Sequence, residues 1–178
     1  MGRRLNQILR LIVKIEKEEA GAVFWSCLYF FFILAGYYVI RPLRDEMAVA
    51  GGVWNLPWLF TGTLFVMLLV NPGFSALVVK LPRKKFVSLA YRFFMVNLLV
   101  FYLLLLYASE DQNIWIGRIF YIWTSVFNLF VVSVFWGFMA DTFTQKQGKR
   151  LFGFIAVGGT LGGIAGSTIT SVLVERIG

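Results

Sequence analysis

The chain has 178 residues, no histidine and a single cysteine, Cys27. Without histidine, the common zinc sites and the Ser–His couple of acyl-transfer enzymes cannot be assembled. One thiol builds neither a disulfide framework nor a cysteine metal cluster. No metal, no cofactor and no enzymatic activity are therefore expected. Charge is also scarce. Only 15% of residues are Asp, Glu, Lys or Arg, where a soluble domain carries about a quarter.

What replaces charge is apolar bulk. Hydrophobic residues make up 59% of the chain and aromatic residues 18%, with nineteen phenylalanines. That composition indicates an integral membrane protein whose principal partner is the lipid bilayer. The net charge of +8 does not point to nucleic acid, because the basic residues lie in short tracts between apolar runs and not along one face.

Five runs are long enough to cross a bilayer: 23–40, 56–79, 86–108, 114–140 and 151–174. A span needs about 20 mainly apolar residues. A β-barrel would need strands that alternate polar and apolar residues, and "LLVFYLLLLY" does not alternate. The expected fold is all-α, with residues 1–20 as a cytoplasmic amphipathic segment and 21–178 as the membrane domain. Within the first segment, Leu5, Ile8, Leu9, Ile12 and Ile15 recur at helical spacing. Its basic region is too long for a cleaved signal peptide. Asn71-Pro72-Gly73 interrupts the second run, and proline there predicts a kink.

Orientation follows the basic residues. Arg3, Arg4, Arg10, Lys14 and Lys17 precede the first run; Lys80, Arg83, Lys84 and Lys85 follow the second; Lys146, Lys149 and Arg150 follow the fourth. These alternate segments belong on the cytoplasmic side, which puts the N-terminus there.

Ionisable and polar groups within spans are costly and need a reason. Arg92 and Arg118 lie near the starts of their runs and can snorkel to the interface. Asn97 and Asn128 are deeper, and an interhelical hydrogen bond is expected for each. The densest cluster is "YYVIRPLRDEM". If the first helix continues past Ile40, Tyr37, Arg41 and Arg44 share one face, and Asp45 can pair with Arg41 at i+4. Two readings stay open. One is an anion site, since guanidinium forks match phosphate and carboxylate oxygens. The other is a solvated helix end with local pairing.

In the fifth run, Gly158, Gly162 and Gly166 repeat every four residues, a pattern that lets two helix backbones approach closely. Asp141 lies where the fourth span ends, and Lys146, Lys149 and Arg150 follow it. They form either a hydrated loop or a gate whose charges pair in one conformation and separate in another.

Two stretches resemble the bacterial and plastid ATP/ADP translocases, nucleotide antiporters distantly related to the major-facilitator transporters. The first is "YYVIRPLRDEMAVA", where Arg41, Arg44 and Asp45 fall on the family's pattern, with Arg44 where lysine is usual. The second is "VVSVFWGFMADTFTQKQGKRLFGFIAVGGTLGGIAGS", with Phe135-Trp136-Gly137-Phe138, Asp141 and Lys149-Arg150. The resemblance implies a partial major-facilitator-like fold in a bacterial inner membrane. It also implies an anionic substrate, a nucleotide, with Arg44 and Asp141 in its pathway. The five spans look like the front of a twelve-helix transporter, so the chain is expected to be a fragment that needs further C-terminal helices. A transporter of another solute and a non-transporting scaffold subunit are the alternatives.

Overall fold

The computed structural model describes residues 15–80 and 82–177. Among them there is no strand, and five long helices hold almost every residue: α1 (Ala20–Ala50), α2 (Leu56–Lys80), α3 (Arg83–Tyr107), α4 (Glu110–Thr142) and α5 (Gln145–Ile177). Each is long and apolar enough to cross a membrane. The amphipathic helix expected before the first span lies almost wholly outside the described residues. Ile15 and Glu16 have no regular structure, and a turn over Lys17–Glu19 leads into α1.

The helices outrun the apolar stretches that announce them. α1 has 31 residues, a length of about 46 Å at 1.5 Å per residue, against about 30 Å of hydrocarbon. It continues ten residues past Ile40 because nothing in Arg41–Ala50 stops it. Pro42 lies inside the helix, and Arg41 and Asp45 pair at i+4. α2 likewise runs unbroken through Pro72.

Side-chain chemistry sets the helix ends. The connection from α1 to α2 passes Gly52, whose φ of 96° suits glycine. The other links are two residues long, 81–82, 108–109 and 143–144. α5 begins on a capping box and α4 on one half of such a box. The Ser109 N–H donates to Gln112 Oε1 at 3.1 Å. Thr144 N–H donates to Gln147 Oε1 at 2.9 Å, and the Gln147 N–H donates back to Thr144 Oγ1 at 3.4 Å.

The chain divides into two compact units. One holds the chain up to Val39 together with Phe135 onward; the other is Ile40–Val134. The first has a core of Val23, Phe30, Phe135, Met139, Phe143, Leu151 and Ile155. Phe30 stacks flat on Phe135 with centroids 4.3 Å apart. Along the same seam, a Cβ on Gly158 would lie 2.5 Å from the Cys27 carbonyl oxygen, and Cβ atoms on Gly162 and Gly166 would strike the carbonyls of Phe31 and Ala35. α5 therefore lies on the stripe Cys27–Phe31–Ala35 of α1 with backbone against backbone. Thr170 closes the seam, its hydroxyl reaching the Val39 carbonyl at 3.3 Å.

The second unit packs by aromatic rings. Phe74 stacks on Phe130 at 4.2 Å, and Trp123 stacks on Phe127 at 5.4 Å. Its outer surface is apolar: Leu64, Phe65, Leu68, Phe93, Leu99 and many others are exposed. A soluble protein seldom tolerates apolar patches of that extent, whereas hydrocarbon accepts them. Trp54, 94% exposed, lies with Trp58, Tyr107 and Trp115 at or beside the ends of α2, α3 and α4, the positions of an interfacial aromatic belt.

Candidate functional site

The second unit gathers Arg41, Arg44 and Asp45. Arg44 is the most withdrawn of the three, with 14% of its side chain exposed, against 45% for Arg41 and 49% for Asp45. Its Nε and Nη2 both donate to Asp45 Oδ1, at 2.9 and 2.5 Å. Its Nη1 donates to Ser125 Oγ on α4 at 3.3 Å. Its guanidinium lies over the Tyr121 ring, 4.8 Å from the centroid, a cation–π contact. Arg41 Nε is 3.8 Å from Asp45 Oδ2. One carboxylate thus sits between two guanidinium groups.

The geometry of that pairing matters chemically. Adjacent residues on a helix do not face each other, so Arg44 must curl back to reach Asp45. Two of its donors converge on one oxygen, whereas a fork–fork pair uses two. A half-exposed carboxylate held this way can rotate into water. An anion presenting two oxygens would match the fork better than the single Asp45 oxygen does. Ser125 and Tyr121 hold Arg44 in place. Neither Ser125 nor Tyr121 stands out in the sequence; both lie within a mainly apolar run, and only the fold turns them towards α1.

Further polar groups lie in the same unit. Arg118 places its guanidinium over the Trp115 ring at 4.6 Å, and its Nε is buried without a hydrogen-bond partner among the described residues. The fully buried Thr124 hydroxyl also lacks one. Asn97 corrects an expectation: its Nδ2 donates to the Phe93 carbonyl of its own helix at 2.8 Å, and the residue is half-buried. The carbonyl four residues back lies within reach and satisfies the amide without a neighbouring helix.

The remaining predicted residues belong to the first unit. Tyr37 is buried, its ring edge-on to Tyr38 at 5.5 Å. Asp141 is exposed in the last turn of α4, and Lys146 and Lys149 are exposed in the first turns of α5. Arg150 differs from them. Its Nη2 donates to both Glu19 oxygens, at 2.7 and 2.6 Å, and its Nη1 is 3.6 Å from Glu16 Oε1. Gln147, the capping residue of α5, also donates to Glu19 Oε1 at 2.8 Å. Glu19 is only 8% exposed. The Gln147 hydrogen bond holds its carboxyl below the ordinary value of 4.5, helped by the Glu16 backbone N–H and the Arg150 charge, against the opposing effect of burial. This cluster ties the start of α1 to the start of α5. Sequence gives no hint of it, since Glu19 and Arg150 are 131 positions apart.

Among the described residues, no group of three or more His, Cys, Asp or Glu is placed to hold a metal ion. No protein-family model matches the chain, and no curated protein or solved structure matches it either.

Proposed function

We propose that the chain belongs to a multi-pass transporter of a bacterial inner membrane, with its N-terminus cytoplasmic, that exchanges ATP for ADP by alternating access. In this reading Arg44 and Arg41 receive the phosphates and Asp45 is the internal stand-in that they displace. Asp141 and Tyr37 contribute to the same pathway, and Lys146, Lys149 and Arg150 to its cytoplasmic gate. Helices beyond these five complete the route, because repeat-built transporters place their site between halves.

The observation that carries the reading is Arg44 itself. A guanidinium mostly withdrawn from solvent on an α1 candidate span, positioned by Ser125 and Tyr121, needs a reason in a bilayer. A bound anion supplies one. The resemblance of the two quoted motifs to nucleotide antiporters supports the choice of nucleotide. Exchange requires only that the nucleotide bind the two states of the protein with different affinity.

Uptake of radiolabelled ATP into cells expressing the gene tests this. Arg44→Gln should lower uptake at least about ten-fold, the loss of one charge-assisted contact of about 1.5 kcal/mol. Arg44→Lys should retain part of it. Absence of uptake, or uptake indifferent to Arg44→Gln and Arg41→Gln, overturns the proposal.

A further inference from the structure

The second unit carries a groove of about 1140 Å³ between α2, α3 and α4. Its walls are Val66, Leu69, Phe74, Phe93, Trp123 and further apolar groups, and among the described residues its one charged lining residue is Lys80. Gly73 leaves room along it, since nothing lies within 4 Å of where its Cβ would be. The groove runs along α2 from residue 66 to residue 80, about 21 Å at 1.5 Å per residue. One leaflet of hydrocarbon is about 15 Å deep, half the core thickness. Lys80 ends α2 and is exposed, as is Lys85 in the first turn of α3.

From this we infer that the groove holds a phospholipid with an anionic headgroup, its phosphate at Lys80 and Lys85 and an acyl chain along Val66–Ala76. A polar solute of drug size would need several oriented hydrogen-bonding groups in the wall; among the described lining side chains there are two, the Lys80 ammonium at the mouth and the Trp123 indole N–H. An almost entirely apolar groove with a basic end matches one class of molecule, a long hydrocarbon carrying a negative head. Cationic side chains close to a membrane surface favour anionic lipid by about five-fold each. The inference does not depend on the transport reading, only on the helices lying in a membrane.

Native mass spectrometry of the purified chain, stripped of lipid and titrated with phosphatidylglycerol or phosphatidylcholine of matched acyl chains, decides it. Phosphatidylglycerol should bind several-fold more tightly. Combined Lys80→Gln and Lys85→Gln should bring it down to the phosphatidylcholine level. Gly73→Leu, which suits a helix and fills the groove, should weaken both lipids. Equal binding of the two lipids, or binding unchanged by Gly73→Leu, overturns the assignment. So does a dimer that disappears with Gly73→Leu, which would make a second copy of the chain the occupant.

Discussion

The two units solve the same problem in opposite ways. In the first, three glycines spaced four apart bring the backbones of α1 and α5 together, and polar contacts lie at the ends of that seam, Glu19 with Arg150 and Gln147 at one and Thr170 on the Val39 carbonyl at the other. In the second, bulky rings fill the space between helices, and polar groups remain inside it: Arg44 on Asp45 and Ser125, Arg118 over Trp115, the Thr124 hydroxyl without a partner. Lipid removes the hydrophobic drive between helices. Close packing can then supply stability alone, as in the glycine seam. A costly polar cluster persists where something beyond stability requires it. The glycine seam is therefore where close packing carries stability, and the Arg44 cluster is where polar groups are kept at a cost.

Substitutions in the seam should have the largest structural effect. Gly162→Leu drives a side chain into the Phe31 carbonyl, and overpacking of this kind costs about 1–3 kcal/mol or more. Thermal unfolding in detergent should show a lower midpoint and a drop in folded yield. If Gly162→Leu unfolds like the wild type, the seam is not what holds α5 to α1.

Loss of the α5 cap should come next. Thr144→Ala removes the hydroxyl from the capping box and should cost about 1 kcal/mol, read from the same melts. Arg44→Gln provides the contrast in the other unit: a small change in melting temperature with a large loss of nucleotide uptake. An Arg44→Gln protein that melts like a seam variant while its uptake per folded molecule is unchanged would erase the contrast between the seam and the Arg44 cluster.

The Glu19 cluster gives a pH-dependent effect. A carboxyl held below its ordinary value stabilises the folded state at pH above 4.5 and loses that contribution as pH falls through its lowered value. The unfolding midpoint should therefore drop on acidification below about pH 4.5, and Glu19→Gln should flatten that part of the profile. The smallest effect belongs to Gly153→Ala. Nothing lies within 4 Å of its added Cβ, so alanine's better helix propensity, up to about 1 kcal/mol, should leave stability unchanged or slightly raised.

Much of this architecture can be read from the residues. Five mainly apolar runs show five helices because each is close to or longer than the roughly 20 residues a span needs, and the spacing of Gly158, Gly162 and Gly166 shows a close-approach face. The face it meets, Cys27–Phe31–Ala35, cannot be read, because those residues look like any others in an apolar run. Helix ends are read short at α1, where charge suggests a stop but an i+4 pair extends the helix. Asn97 is assigned to the wrong partner because its own backbone competes successfully. Arg41, Arg44 and Asp45 attract notice by their charge alone. Ser125, which positions Arg44, and Glu19, which holds Arg150, become visible only once distant segments meet.

An anion pathway at α1 requires that the Arg44 cluster meet water and anions. Ser125→Cys on a Cys27→Ala background places a thiol beside Arg44 and leaves both arginines in place. Treatment of intact membranes with a charged aqueous thiol reagent, applied from each side, should label it, and ATP should slow the labelling. A thiol unreachable from both sides, or labelled at a rate that ATP leaves unchanged, would contradict an anion site at Arg44.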